Sequence, residues 1–377
     1  VAAIEKLVAE PSYRPKVDIP WYWSMVGAVG SLYVIYLISP VALVAAFVLE
    51  AACYIYFKKK ALEQQWGDVT AGLWMKLARF SLLRINKRYI SPRNWRPIIL
   101  LFAKDIDERI ELVKLAAAFG QKRGIFSISK LVFGQDEFSR SEKKELKGQM
   151  VEKLRSHQLE GFCEVNTVNS LNEGILNISK GHGIAGLKTN TVMFGWSEDR
   201  SANLDQLKNI RKLAEISKNI VLAKFNDPLA WKIKKFDRID IWWSGWKNNG
   251  NLMLIFAYML KLNPEWEEAD IHIRSVVNDR QDKNKMADGI QHSLNEARIP
   301  AKIDITVNSE NKPFRDYLHQ KSSDADIVFL GLGRPKPGNE EKQVAKIEQL
   351  GDVAKTVVFV QNNSIKESMP LLLDAEG

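Results

Sequence analysis

Hydrophobic patterning singles out one long apolar stretch near the start of the chain. In residues 21–57 only Glu50 is charged, and Pro40 interrupts the run. One helix of that length would rise about 55 Å, far more than a bilayer core of about 30 Å. Because proline breaks a helix, the pattern predicts two transmembrane helices, 21–38 and 41–57, joined by a tight turn. A buried soluble hairpin is the alternative, although both helices lack the polar face of a surface helix.

Basic residues flank both ends of this predicted hairpin. Lys6, Arg14 and Lys16 precede it, and three lysines follow it at 58–60. Positive charge marks the cytoplasmic side of membrane segments. We therefore predict that both ends are cytoplasmic and that residues 1–20 form a cytoplasmic lead-in.

A basic stretch follows the hairpin, and we predict that residues 58–93 form an amphipathic connector. Leu73, Leu77 and Phe80 form an apolar face at helical spacing. Such a helix beside a membrane suits anionic lipid head groups, at about 1 kcal/mol per basic residue. A connecting helix packed on a soluble domain is the alternative. The basic residues are Lys76, Arg79, Arg84, Lys87, Arg88, Arg93 and Arg96.

Beyond residue 93 the pattern changes to short β-prone runs that alternate with helical stretches. Such alternation predicts an α/β fold with parallel strands flanked by helices. Five units are followed by five more at similar spacing. We therefore predict two tandem five-stranded, mostly parallel α/β subdomains, 94–226 and 227–377. The predicted strands are 98–102, 125–132, 162–168, 191–196 and 220–225, then 239–243, 271–277, 302–307, 327–332 and 356–361.

Composition narrows the function classes. The 377 residues are 46% hydrophobic and 26% charged, with a net charge of +9. Excess positive charge suits an anionic membrane surface or nucleic acid, but no RNP, zinc-finger or helix-turn-helix pattern accompanies it, so nucleic acid is not expected. The two cysteines, Cys53 and Cys163, and the five histidines have no disulfide or metal-ligand spacing, so no metal is expected.

Candidate chemistry in the predicted subdomains is sparse. No GxSxG, Walker or GxGxxG motif occurs, so we predict neither an enzyme nor a required cofactor. One glycine loop, with Gly331, Gly333 and Gly338, follows a strand and precedes a helix. Its amides could face a nucleotide phosphate, although the same residues describe an ordinary loop. Trp242 and Trp243 end another strand and suggest either a ring-stacking site or, more commonly, core packing.

Several short motifs, taken in order, resemble those of the cation-chloride cotransporter family. An I-D-x-W-W strand at 239–243 is followed by a glycine turn, a tryptophan and a strand with arginine. An N-[FWY]-R-P motif opens the predicted α/β region. The ordered set is more specific than any single motif. The residues that carry the resemblance are Arg14, Pro15, Trp66, Gly67, Asn94, Trp95, Arg96, Pro97, Asp240, Trp242, Trp243, Gly250, Trp266 and Arg274.

The resemblance implies a function and an architecture. The hairpin would be the last two of twelve membrane helices of a plasma-membrane symporter for Na+ and/or K+ with chloride. The rest would be its cytoplasmic regulatory and dimerisation region, a homodimer of subdomains related in fold to universal stress proteins. The ion sites would lie in an upstream transmembrane domain of the same polypeptide. The lack of long inserts suggests a prokaryotic relative.

Two other functions stay open from the sequence. One is a membrane-tethered nucleotide sensor of universal-stress-protein type, and the other is the tail of an amino-acid permease of the same superfamily. Because Val1 is not methionine and no signal peptide follows, we expect the chain to begin at a fragment boundary. Further hydrophobic spans upstream would favour a transporter.

The predicted hairpin topology can be checked by cysteine labelling. After replacement of Cys53 and Cys163, a Ser39→Cys variant should react with a membrane-impermeant thiol reagent applied outside the cell. An Ala61→Cys variant should react only after the membrane is opened. Labelling of the Ala61→Cys variant from outside would contradict the topology.

Overall fold

The computed structural model describes residues 20–60, 69–87, 95–120, 124–134, 139–232, 235–244 and 249–364. Contacts divide the chain into a helical unit, Val1–Tyr89, and an α/β unit, Ile90–Gly377. Each unit is described by itself below.

The described part of the helical unit contains two helices that are separated by a single residue, Ser39. This residue is extended, with φ −161° and ψ 112°, and its hydroxyl accepts a hydrogen bond from the Ala42 amide at 3.2 Å. Pro40 is the first residue of the next helix, where its missing N–H is not needed. The helices are α1 (Trp21–Ile38), α2 (Pro40–Lys60) and α3 (Val69–Lys87).

Apolar side chains on α1 and α2 are mostly exposed. Beside the turn, Ile38 is 79% exposed and Val41 is 78% exposed. Among the described residues, no helix combines the length and the hydropathy that crossing a membrane requires. Insertion of the hairpin into a membrane is therefore unconfirmed and stays a prediction.

The first half of the α/β unit alternates strands and helices, as the sequence predicts. Ser139 begins one helix with a capping box, in which its side chain and that of Glu142 bond each other's backbone amides. The elements are β1 (Ile98–Phe102), α4 (Ile110–Gly120), β2 (Ile125–Phe133), α5 (Arg140–Ser156), β3 (Phe162–Val168), α6 (Leu171–Gly181), β4 (Gly183–Ile184), β5 (Leu187–Lys188), β6 (Thr191–Gly195), α7 (Arg200–Glu215) and β7 (Asn219–Phe225).

The second half repeats the alternation. Its longest helix starts at Asp279, whose carboxylate accepts a hydrogen bond from the Asp282 amide at 2.8 Å. The elements are β8 (Arg238–Trp242), α8 (Asn249–Lys261), β9 (Asp270–Val277), α9 (Arg280–Ala297), β10 (Lys302–Val307), α10 (Phe314–Ser322), β11 (Ile327–Gly331), α11 (Glu340–Leu350) and β12 (Thr356–Gln361).

Both halves contribute to one ten-stranded sheet, in the order β10-β9-β8-β11-β12-β7-β6-β1-β2-β3. Each half has its five long strands parallel, in the order 3-2-1-4-5. The fifth strands, β7 and β12, pair antiparallel, from Ile220 opposite Gln361 to Phe225 opposite Thr356. The predicted α/β class and mostly parallel pairing are therefore confirmed. The two sets of strands are halves of one continuous sheet.

Two hydrophobic cores lie on opposite faces of the sheet, because successive side chains of a strand alternate. One core contains Val221 and Val358 and is covered by α4, α5, α8 and α9. The other contains Leu222 and Phe359 and is covered by α6, α7, α10 and α11. Since each core includes residues from both halves, the join between β7 and β12 is buried on both faces.

Candidate functional site

Strand β8 carries the most distinctive motif of the sequence. Ile239 and Ile241 are fully buried in the core beneath α8. Asp240 and Trp242 alternate with them and therefore face the α10 side of the sheet. Asp240 is also fully buried. A carboxylate in such a position is stable only when charged partners and hydrogen bonds compensate the loss of water.

Two arginines and a hydroxyl surround the Asp240 carboxylate. Arg238 donates from Nε to Oδ1 and from Nη2 to Oδ2, both at 3.0 Å. Oδ2 also accepts from Arg274 Nε at 2.8 Å and from the Ser322 hydroxyl at 2.6 Å. The Trp242 indole donates to the Ser322 oxygen at 3.0 Å. The hydrogen bond to Asp240 is the main cause of the raised pKa of Arg238.

The charge alternates from this buried centre toward the surface. Arg274 also pairs with Asp304, whose carboxylate accepts from Lys321 at 3.1 Å. Arg238 donates to both oxygens of Asp324, each at 2.8 Å. The result is a continuous ion network that connects β8, β9 and β10 to the end of α10.

His272 lies beside Asp240 on the neighbouring strand. Burial lowers the pKa of its imidazole, and although Asp240 acts in the opposite direction, Arg274 and Arg238 lower it further. The histidine is therefore neutral at pH 7. Without it, the charges of the network balance, because Arg238, Arg274 and Lys321 face the carboxylates of Asp240, Asp304 and Asp324.

The aromatic residues of the family motif pack inside the α/β unit. A Cβ on Gly250 would lie 2.6 Å from the Trp243 ring, so only glycine fits there. Trp266 stacks on Phe236, with ring centroids 3.9 Å apart and planes at 13°. Trp242 and Trp266 are 5% and 2% exposed. Trp243 packs partly buried against the core as well, so the strand-end pair Trp242 and Trp243 fits core packing, the commoner of the two interpretations.

The motif that opens the α/β region anchors the entry into β1. The side chain of Asn190 donates to the Arg96 carbonyl at 2.7 Å and accepts from the Ile98 amide at 3.0 Å. Trp95 packs against the core that contains Val221. The Pro97 carbonyl accepts a backbone hydrogen bond. Of the other residues singled out by sequence, Arg14, Pro15, Trp66, Gly67 and Asn94 lie outside the described residues.

A groove of about 410 Å³ opens where β11 ends, beside α11. Two of the three glycines of the candidate loop, Gly331 and Gly333, line it. Gly338 is not among the lining residues, and it has the left-handed conformation, φ +78°, that favours glycine in a turn. The lining also includes Leu332, Arg334, Lys336, Asn339, Lys342, Gln343, Lys346, Ile347, Leu350 and Phe359.

The backbone of this glycine loop is already hydrogen-bonded within the fold. The Leu332 amide donates to the Val360 carbonyl at 2.8 Å. Its carbonyl accepts from the Asn249 side chain at 3.3 Å, and the Gly333 carbonyl accepts from Gln343 at 2.7 Å. These bonds hold the loop in place without any ligand.

Sequence reasoning missed the partners of Asp240 and the lysines of the groove. Arg238, Ser322 and Asp304 lie far from one another along the chain, and their meeting depends on the order of the strands. The sequence does contain part of the signal, because charged residues such as Asp240 and Arg274 are uncommon inside apolar strands. A second signal is the spacing of Lys342 and Lys346, which lie one helical turn apart and so share one face of a helix.

An Asp240→Asn substitution should destabilise the α/β unit strongly. It would remove the only buried carboxylate between Arg238 and Arg274, which would keep only their partners nearer the surface, at a cost of about 3–5 kcal/mol. Urea denaturation followed by tryptophan fluorescence measures this loss. A Lys235→Gln control breaks the exposed pair with Glu268 and should cost less than about 1 kcal/mol. Equal, small losses in both variants would contradict the structural role of the network.

Comparison with known proteins identifies relatives of the chain. No protein-family model matches it. The chain is 25% identical over 373 residues to the potassium/chloride cotransporter 3 of Caenorhabditis elegans. This match covers 93% of the chain and 34% of that protein, so the chain spans about a third of the length of this curated relative.

One solved structure shows the same fold. The cytoplasmic domain of a prokaryotic cation chloride cotransporter matches with a TM-score of 0.52 and 17% identity, over 74% of this chain and 100% of that one. A universal stress protein from Archaeoglobus fulgidus DSM 4304 has a TM-score of 0.46 and 12% identity, over 74% and 99%. A TM-score below 0.5 does not establish a shared fold. From the sequence match and the first structural match together, the chain is a homologue of the cation-chloride cotransporters.

Proposed function

We propose that this chain is the C-terminal region of a secondary transporter that couples Na+ and/or K+ with chloride. The α/β unit would be its cytoplasmic regulatory and dimerisation domain. The observation that carries the proposal is the similarity to a potassium/chloride cotransporter. Because that match covers 93% of the chain, it extends into both the helical unit and the α/β unit.

We also propose that the α1–α2 hairpin lies in the plasma membrane, with both ends cytoplasmic. The hairpin exposes apolar side chains along its length, among them Val29 at 62% and Leu49 at 67%. Such a surface needs lipid or other apolar helices to cover it. The large apolar residues that are exposed in the described α/β unit are few by comparison: Phe133, Phe162, Leu171, Ile184, Leu229 and Phe314.

The ion path of the proposed transporter lies outside this chain. Two helices cannot enclose a path for ions, and Glu50 is the one charged residue between positions 21 and 57. An upstream transmembrane domain of the same polypeptide would supply the ion sites and would cover part of the hairpin.

Helix α3 supports a contact with anionic lipid head groups. Trp74 is 67% exposed and Leu77 is 50% exposed, and Lys76 and Arg79 lie between and beyond them. The Arg84 guanidinium lies 5.0 Å from the centre of the Phe80 ring of the same helix, which is a cation–π contact. Exposed apolar and basic groups on one helix are typical of segments at a membrane surface.

The chemistry of the α/β unit supports a non-enzymatic role. The most buried carboxylate, that of Asp240, accepts hydrogen bonds from structural partners on both oxygens. Burial raises the pKa of the Cys163 thiol to about 11, so that it stays protonated and unreactive at neutral pH.

Transport by the longer protein tests the proposed function. After reconstitution into proteoliposomes, the protein should take up sodium or rubidium, which replaces potassium, only when chloride is present on the same side, because cation and chloride would move together. Gluconate replaces chloride in the control. Amino-acid uptake without chloride-dependent uptake of either cation would refute the proposal and would favour the permease alternative.

We further propose that the chain acts as a symmetric homodimer, since closed twofold pairs are the commonest oligomers and a shared membrane raises the effective concentration of partners. The oligomeric state is measured by light scattering of the α/β unit over a range of concentrations and by crosslinking of the longer protein in membranes. We expect crosslinked dimers in membranes even where the isolated unit is monomeric. Monomers in both experiments would contradict the dimer.

A further inference from the structure

The groove beside α11 has an apolar base and a basic rim. Leu332, Ile347 and Phe359 line the base, and Leu350 extends the apolar surface to the end of α11. The lining includes four cationic side chains and no carboxylate. The cations are Arg334, Lys336, Lys342 and Lys346.

Helix α11 separates its charges between two sides. Lys342 and Lys346 line the groove. Glu341 and Glu348 point instead to α7, where both pair with Arg200, at 3.0 Å and 2.9 Å. These carboxylates are therefore neutralised by α7 and do not offset the two lysines.

The rim cations have few counter-charges in the described part of the chain. There, Lys336, Lys342 and Lys346 form no ion pair, and Arg334 has one loose contact, 3.4 Å from Glu215. Like charges around one opening attract segments of opposite charge. The groove is thus suited to a segment that is both apolar and acidic.

The chain leaves the sheet at the end where this groove opens. β11 and β12 are parallel neighbours, with Gly331 opposite Val360, so both strands end at the same edge of the sheet. Beyond β12, the amides of Asn363 and Ser364 donate to Asn219 Oδ1 at 2.9 Å and 3.0 Å, which fixes the exit of the chain. Four residues and one strand spacing separate this exit from β11, a distance of at most about 20 Å.

The sequence after this exit matches the groove in length and in chemistry. Residues 365–377, called the tail here, lie outside the described residues and read IKESMPLLLDAEG. The tail has three acidic side chains and one lysine, and two of the acidic residues directly follow its leucines. Leu371 is seven residues beyond Ser364, and seven extended residues span up to about 25 Å. The leucines can therefore reach the groove.

We propose that residues 371–376 bind in this groove as an extended segment, so that the tail is a ligand of its own α/β unit. Alternate side chains of an extended segment point to opposite sides. Leu371 and Leu373 would cover the base, and Asp374 and Glu376 would face the rim. Alternate residues of an extended chain are about 6.6 Å apart, and lysines one helical turn apart are separated by about 6 Å. The two carboxylates therefore match the two lysines of α11 in spacing and in charge.

The connection between tail and groove favours this contact over binding of a separate peptide. A short linker gives an effective concentration in the millimolar range, so that a contact too weak for a free peptide is still populated. The groove volume of about 410 Å³ accommodates a few side chains and not the whole tail. The bound tail would cover the groove, and any other anionic partner would have to displace it.

Disulfide trapping on the whole chain in detergent tests the contact. After replacement of both native cysteines, the rim variant carries Lys346→Cys and Leu372→Cys. Leu372 is on the carboxylate side of the proposed segment, and three rim cations remain. The rate of internal disulfide formation under a mild oxidant is measured by mass spectrometry. Each rate is corrected for the reactivity of the two thiols with a small free disulfide.

A comparison variant separates binding from random collision. It carries Ser217→Cys in place of the rim cysteine. Ser217 is exposed and is not among the lining residues. It adjoins Lys218, whose carbonyl accepts from the Asn363 side chain at 2.8 Å, so it lies close to the start of the tail. We expect the rim variant to form its disulfide about tenfold faster than this comparison variant, because binding raises the local concentration of the two thiols.

Charge variants identify the groups that hold the tail. In the rim variant, Glu376→Gln should slow trapping about twofold and Asp374→Asn/Glu376→Gln about fourfold, because exposed opposite charges attract across the interface. Salt at about 0.5 M should slow it as well. The matched control Glu367→Gln removes one carboxylate from the start of the same tail and should leave the rate unchanged. Thermal unfolding verifies that every variant is folded.

Three results would overturn the proposal. Equal corrected rates in the rim and comparison variants would show random collision. A disulfide-linked dimer in place of the internal disulfide would show binding to a second copy and not to the same chain. Rates that ignore both carboxylates and salt would remove the ion pairs. None of these measurements involves ion flux, so failure here leaves the proposed transport function standing, and failure of the flux assay leaves this contact standing.

Discussion

The antiparallel pairing of β7 with β12 sets the arrangement of the α/β unit. Every other neighbouring pair of long strands in the described sheet is parallel. At this one junction the fifth strand of each half lies against the other, and both strands are buried on both faces. Each strand thereby pairs the backbone N–H and C=O groups that the edge of a separate five-stranded sheet would leave unpaired. The pairing also places α7 beside α11. Ion pairs between these two helices hold carboxylates of α11 on the side that faces α7, and its lysines lie on another side.

The strands and most helices could be predicted from the sequence because burial leaves a local signature. β1 and β12 are short apolar runs, and both have the predicted bounds. The start of α7 is less visible: the apolar periodicity begins at Leu204, but the helix begins at Arg200. Its first turn is polar, and Asp199 caps it by accepting from the Ser201 amide. The two-residue strands β4 and β5 are too short to show any periodicity.

The contacts between distant elements could not be predicted in the same way. Nothing in two apolar fifth strands indicates that they pair with each other and not with a partner chain. The glycine loop was visible as a strand-to-helix connection, and Gly331 and Gly333 do line a groove. The groove takes its charge from Arg334, Lys336, Lys342 and Lys346. Glu341 and Glu348 of the same helix pair instead with Arg200, more than a hundred residues earlier in the chain. Only the folded sheet brings these residues together.

The two halves of the sheet carry chemically different residues at one corresponding buried position. Leu100 is opposite the second residue of β6, and Asp240 is opposite the second residue of β11, so they occupy corresponding places in the two halves. Both are fully buried. The first half shows that this backbone needs no charge there, and a buried ion pair is often no more stable than an apolar replacement.

An ionised residue at that place therefore contributes something other than net stability. An apolar strand that slides by two residues along its neighbours keeps the same side chains buried, and little opposes the shift. Asp240 meets Arg274 of β9 and Ser322 of α10 together in only one alignment, whereas Arg238 lies on the same strand and moves with it. The carboxylate thus specifies the register of strand β8, a role that the buried Leu100 cannot have at the corresponding position of the first half.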